Sequence, residues 1–183
     1  EVDVTTDPAT RARHARFEAI FEESYEALLA YARRRVGADA DDIVADTFTV
    51  TWRRLEDVPL DPLPWMYGVA RKVISEERRA ARRREALLRR VADASPREEA
   101  DSQHSNAVLL ALSRLGERDR EAVLLVAWEG LTAEQAASAM GCTAIAFRVR
   151  LHRARMRLRR QLESLDALSF ATAAVVAEEV KNT

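Results

Sequence analysis

LTAEQAASAMGCTAIAFRVRLHRARMRLRRQ (Leu131–Gln161) is the stretch that gives the rest of the chain its meaning. Thr132 and Gln135 stand three residues apart as in a capping box, where each side chain satisfies the other's free backbone amide. Ala136 and Ala137 are small, as the close crossing of two helices requires. Gly141 then breaks the first helix at a turn, where a positive φ costs glycine little. Thr143 is placed to cap a second helix, along which Phe147, Leu151, Ala154 and Leu158 recur at the spacing of a buried face. At about 100° per residue, the opposite side presents Ile145, Val149, His152, Arg153 and Met156, with Arg148 on its flank. Arg148, Arg150, Arg153, Arg155, Arg157, Arg159 and Arg160 follow one another with no acid between Ala144 and Gln161. The plain reading is a solvated basic face on a helical hairpin. Turn glycine, two caps and an uncompensated cationic run coincide, however, and together they favour a helix-turn-helix laid in a DNA major groove.

The whole chain suits that reading. Its 183 residues make one domain or two small ones. With 48% hydrophobic and 32% charged residues but only 5 Gly and 5 Pro, the composition predicts an all-α fold. The net charge of −1 argues against nucleic acid only as an average, because charge is segregated along the sequence. Lys72 and Lys181 are the only lysines, an arginine bias that fits a GC-rich bacterial genome. Cys142 is the single cysteine, which excludes a disulfide framework within the chain and a thiolate zinc cluster. His14, His104 and His152 lack metal-ligand spacing, and neither a glycine-rich phosphate loop nor a nucleophile elbow is present. Asp41 and Asp42 read as a solvated helix start rather than an acid/base pair. No catalytic residue, metal or cofactor is therefore expected. No apolar run approaches the ~20 residues of a membrane span, and no secretory signal is visible, so a cytosolic protein is expected. Glu1 in place of Met points to a trimmed N-terminus.

Residues 1–12 lack periodicity and read as a disordered leader. A first domain is expected over 13–90. Its first helix repeats Phe17, Ile20, Phe21, Ser24, Tyr25, Leu28, Tyr31, Ala32 and Val36 at three- and four-residue intervals, and Gly37 stops it. Asp39–Asp42 are placed to cap a second helix, whose inward stripe holds Ile43, Val44, Thr47, Phe48, Thr51, Trp52 and Leu55. Pro59, Pro62 and Pro64 make a stiff loop, and Pro64 suits the first turn of a third helix. Trp65, Met66, Val69, Ala70, Val73 and Ile74 face inward on it, while its second half turns strongly basic. Aromatics at the head of a cationic helix suit strands being melted, where rings stack and arginines track phosphate. A core Trp with a solvated tail fits the segment equally well.

Residues 91–105 (VADASPREEADSQHS) form an acidic linker, flexible by composition and able to span at most ~50 Å, or about 15 base pairs of duplex. A second domain is expected over 106–163: Asn106 caps a helix that Gly116 ends, Arg118–Trp128 supplies a nearly all-apolar helix that Gly130 closes, and the helix-turn-helix follows. The tail 164–183 keeps helical spacing without revealing what it docks on.

In this order the segments resemble a bacterial RNA polymerase sigma factor of the sigma-70 family, of the extracytoplasmic-function type. The likeness covers about residues 17–162. DADDIVADTFTVTW (Asp39–Trp52) is similar to the family's core-polymerase-binding helix, and PLPWMYGVARKVISEERRAARRR (Pro62–Arg84) resembles the stretch that recognises and opens the minus-ten element. The segment from Leu112 to Arg160 resembles the minus-thirty-five-binding domain, with RLHRAR (Arg150–Arg155) matching closely. Ala144, Ile145, Ala146 and Phe147 replace the small or polar residues usual at the start of the recognition helix, and Val149 stands where a Ser is common. Ile145 and Val149 offer thymine-methyl contacts rather than hydrogen bonds.

The resemblance implies a non-catalytic subunit that binds core RNA polymerase and promoter DNA and in many relatives is held by an anti-sigma factor. It implies that Asp41, Asp42, Asp46, Phe48 and Trp52 meet the polymerase. Ile145, Arg148, Val149, His152, Arg153 and Arg155 would contact the minus-thirty-five duplex. Arg148, His152 and Arg153 are the candidates for base edges; Arg155, with Arg157 and Arg159, serves phosphates. Trp65, Tyr67, Arg71, Lys72, Arg78 and Arg79 would handle the minus-ten strand. The linker acids would occupy a basic channel of the polymerase. The rival is a helix-turn-helix regulator that binds duplex DNA without being a polymerase subunit; a helical adaptor with no nucleic-acid role leaves both basic helices unexplained. If about 6 phosphates are neutralised, DNA affinity falls roughly 10³-fold between 50 and 200 mM salt, which a filter-binding titration at stepped salt measures.

Overall fold

Asp7 opens the first helix. Its carboxylate accepts from the backbone amides of Ala9 (3.4 Å) and Thr10 (3.3 Å), and Pro8 at the first position has no amide to leave unsatisfied. This overturns part of the expected 1–12 leader: Asp-Pro is a helix start, and α1 runs Pro8–Val36. The computed structural model describes the backbone of residues 7–89 and 105–181, with side chains over 7–85 and 107–165. Residues 1–6, nearly all of the acidic linker, and the side chains of Arg89, Arg90 and Asn106 lie outside them.

Gly37, at φ 64°, ends α1 where the sequence places the stop. The Asp39–Asp42 carboxylates do not cap the next helix as expected. A 3-10 turn over Gly37–Asp39 delivers the chain instead, and the Ala40 amide donates to the Gly37 carbonyl. Helix α2 covers Ala40–Arg53 and α3 covers Pro62–Arg89, so Pro62 opens α3 and Pro64 lies within its first turn. The three helices pack on one another around Leu28, Tyr31, Ile43 and Met66, all fully enclosed. Buried Thr47 and Thr51 return their hydroxyls to the carbonyls one turn back, Ile43 (2.7 Å) and Thr47 (2.8 Å), which makes their burial tolerable. Arg13 and Arg16 of α1 pin the end of α2 and the loop after it, donating to the carbonyls of Trp52 (2.8 Å) and Val58 (2.6 Å).

The second compact unit is built around α4 (Ser105–Ser113), α5 (Glu117–Ala127) and α7 (Ala144–Lys181). Helix α6 (Ala133–Met140) comes before α7 in the chain. Gly116 does not end α4; its carbonyl accepts from the Asp119 and Arg120 amides (2.9 Å each) and so opens α5. Helix α7 does not break at Glu163 either: the expected tail continues it to Lys181. No described residue is in a strand, and among the described residues no helix is long and apolar enough to cross a membrane.

Helix α7 packs on α4 and α5, and Phe147, Leu151 and Ala154 are buried along it. A charged clamp fixes its rotation. Asp119 of α5, its side chain only 12% exposed, pairs with Arg150 at 3.4 Å and with Arg157 two turns further on. Two partners and near-complete burial make the carboxylate hard to remove, while the partners' partial exposure limits what each pair contributes. Asp119→Ala should cost about 1–3 kcal/mol in urea unfolding, and an unchanged midpoint would contradict the clamp.

Candidate nucleic-acid interface

The local chemistry of the helix-turn-helix forms as the sequence spells it. The Thr132 amide donates to Gln135 Oε1 (3.0 Å) and the Gln135 amide donates to Thr132 Oγ1 (3.2 Å), completing the capping box. Gly141 takes φ 63°, and the Ala146 amide donates to Thr143 Oγ1 (3.2 Å) at the start of α7.

With Phe147, Leu151 and Ala154 buried, the other side of α7 must face solvent. Ile145 is 73% exposed, and Val149, His152, Arg153 and Arg155 are exposed beside it. An isoleucine left in water at the head of a cationic helix contributes nothing to this fold and fits a contact with another molecule. The basic run is not uniformly free, as its sequence suggests. Arg150 and Arg157 turn to Asp119, and Arg148 makes an ion pair with Glu134 of α6. Arg157 therefore has a structural partner where a phosphate contact was expected. Arg153, Arg155 and Arg159 carry no ion pair among the described residues. The sequence reading missed Glu134 and Asp119 because both lie outside the run whose charges were counted.

The minus-ten candidates on α3 divide between two faces. Trp65, Lys72 and Arg79 recur every seven residues; Lys72 and Arg79 are exposed and Trp65 half-buried, with the Arg54 guanidinium 5.9 Å from its ring centre. Tyr67, Arg71 and Arg78 lie on a different stripe. Tyr67 is only 3% exposed and stacks on Tyr31 of α1, ring centres 4.6 Å apart. Its ring is therefore core and not a platform for a base. Arg78 donates to the Arg35 carbonyl (2.9 Å), satisfying the C-terminal end of α1. Arg71 is half-buried, with its Nε enclosed and unbonded. Heptad spacing was the signal that separates these two sets.

On the first unit, the expected polymerase-facing residues also divide. Asp41, Asp42 and Asp46 are exposed, but Phe48 is buried beneath aromatic neighbours from α1. Phe21 lies 4.7 Å from it and Phe17 6.0 Å, while Phe17 also meets Trp52 edge-on at 5.2 Å. Phe21 is 41% exposed, while Phe17, Tyr25 and Trp52 of the same aromatic row are half-buried. Phe17, Phe21 and Tyr25, at i, i+4 and i+8, announce this aromatic row, although the stripe they lie on reads simply as core.

Known proteins share this organisation. The Sigma-70 region 2 model matches residues 20–84 and the Sigma-70, region 4 model matches residues 105–158. The RNA polymerase sigma factor NccH of Alcaligenes xylosoxydans xylosoxydans is 32% identical over 151 residues, 74% of this chain and 81% of that protein. The ECF RNA polymerase sigma factor SigL of Mycobacterium tuberculosis is 30% identical over 168 residues, covering 86% of this chain and 94% of that protein. Among solved structures, the sigma factor RpoE in complex with the anti-sigma factor NepR from Bartonella quintana aligns with a TM-score of 0.61 and 25% identity, over 80% of this chain and 96% of that one. With both regions matched in order and relatives at 30% identity or more aligned over most of their length, the chain belongs to the extracytoplasmic-function group of the sigma-70 family of RNA polymerase sigma factors.

Proposed function

We propose that this protein binds core RNA polymerase and directs promoter-specific initiation, with the first unit acting as region two and the second as region four. The observation that carries the reading is the solvent-facing side of α7, where Ile145, Val149, His152, Arg153 and Arg155 form an apolar and cationic strip with no role in the fold. Ile145 and Val149 suit thymine methyls, His152 and Arg153 suit base edges, and Arg155 with Arg159 suits phosphates. Arg148 joins the base-reading group from the flank.

Trp65, Lys72 and Arg79 share one face of α3 and take the minus-ten strand, the ring by stacking and the cations along phosphate. Tyr67, Arg71 and Arg78 lie behind that face, on the other stripe of the helix. Exposed Phe21 and half-buried Trp52, with the exposed acids Asp41, Asp42 and Asp46 of α2, supply the surface for core polymerase. Carboxylates around an apolar centre suit a basic partner and make the association salt-sensitive. The chain itself catalyses nothing; nucleotidyl transfer stays with the polymerase, and the protein acts in the cytoplasm where that enzyme works. The RpoE structure holds an anti-sigma factor, and a protein of that class is the expected inhibitor here. The linker 91–105 completes the assignment as an acidic strap between the units.

A gel shift on a promoter duplex at fixed salt tests the reading: weak binding by the chain alone and firm binding once core polymerase is added. Tight binding without core would instead favour a free-standing helix-turn-helix regulator. Arg148→Ala together with Arg153→Ala should lower promoter affinity by about 2–4 kcal/mol and leave core binding unchanged in a pull-down. Equal loss of both would refute the division of labour between the two units.

A further inference from the structure

Arg148 is exposed on the flank of α7, and its guanidinium is already engaged by Glu134, in the first turn of α6. Neither side chain is buried: Arg148 is 57% and Glu134 62% exposed. A pair so exposed adds little to folding. It also places a carboxylate on a surface meant for a polyanion, where an acid is costly unless it serves recognition. We propose that Glu134 is a specificity-determining positioning residue, which holds Arg148 for a base edge and denies it to phosphate. The inference rests on α7 reading duplex DNA as described above.

The chemistry follows from the donor count. A guanidinium carries five N–H donors in a plane, and the contact to Glu134 engages its Nη2. The remaining donors still offer a fork to the O6 and N7 acceptors of a guanine, which carry no formal charge. Arg148 can therefore bind guanine without giving up Glu134, and the carboxylate fixes the plane in which the fork is presented. A phosphate is different. To share this guanidinium it must approach the Glu134 carboxylate to within several ångströms, less than the ~8 Å screening length at physiological salt. Either the ion pair breaks or two anions crowd one cation. Glu134 thus penalises sliding and misregistered docking, in which backbone contacts dominate, and leaves the correct register unharmed.

The test uses holoenzyme assembled from core polymerase and the full chain. Competition binding sets a selected promoter duplex against the same duplex with single substitutions in the minus-thirty-five box and against a scrambled duplex. Four forms are compared with wild type: Glu134→Ala, Glu134→Gln, Arg148→Ala, and Glu134→Ala combined with Arg148→Ala. Glu134→Ala and Glu134→Gln should bind the scrambled duplex more tightly, by about three- to tenfold, with a steeper salt dependence by about one phosphate equivalent. Discrimination at one G·C position should fall about tenfold. In the Arg148→Ala background the same change at Glu134 should leave discrimination at that position where Arg148→Ala alone puts it. Unchanged discrimination in Glu134→Ala, or an equal loss whether or not Arg148 is present, overturns the proposal. If wild-type holoenzyme fails to distinguish any of the duplexes, the reading of α7 itself falls, and the inference with it.

Discussion

The apolar stripe of α7 is the constraint from which the functional surface follows. Phe147, Leu151 and Ala154 are buried, on a helix that packs against α4 and α5. A helix is rigid, so burying one side fixes what the opposite side shows. Ile145, Val149, His152 and Arg153 are thereby displayed as a set, at spacings that no loop would hold to the same tolerance. Asp119 adds the rotational stop: by engaging both Arg150 and Arg157 it ties two turns of α7 to α5. Cationic residues on one helix thus divide into those that hold it in place and those that stay in solvent.

A comparable division runs through the first unit. Phe48 sits beneath Phe17 and Phe21, so the α1–α2 seam is closed by aromatic contacts, while the acids Asp41, Asp42 and Asp46 of α2 stay exposed. On α3, Tyr67 and Arg78 are turned to α1, one stacking on Tyr31 and the other satisfying the helix end at Arg35. Trp65, Lys72 and Arg79 stay on the outer stripe. Acidic and apolar surface on α1–α2 and cationic surface on α3 and α7 coexist in a chain whose net charge is only −1. The average hides opposite poles suited to different partners.

Much of this was legible in the sequence where the signal is local. The Thr132–Gln135 box, the turn at Gly141 and the Thr143 cap depend on residues within four positions of one another, and each formed as spelled. Helix ends whose caps compete were less legible. Asp7-Pro8 started α1 inside a segment read as disordered, Gly116 opened a helix where it was expected to close one, and α7 ran past Glu163 without a breaker to stop it. Arginine roles were the least legible of all. Neither the pairing of Arg157 with Asp119 nor that of Arg148 with Glu134 follows from spacing, because the partners lie 38 and 14 residues away and meet only through tertiary packing. Tyr67 shows the same limit: its aromatic character suited a stacking platform, and only the packing of α3 on α1 made it core.

As a sigma factor, this chain gives core polymerase a promoter it would otherwise ignore. Run-off transcription by purified core polymerase on a library of promoter fragments, with and without the protein, tests it most directly. New transcripts should begin at a fixed distance downstream of a shared pair of sequence boxes, and only when the protein is present. The same transcripts with core alone, or none in the presence of the protein, would contradict it.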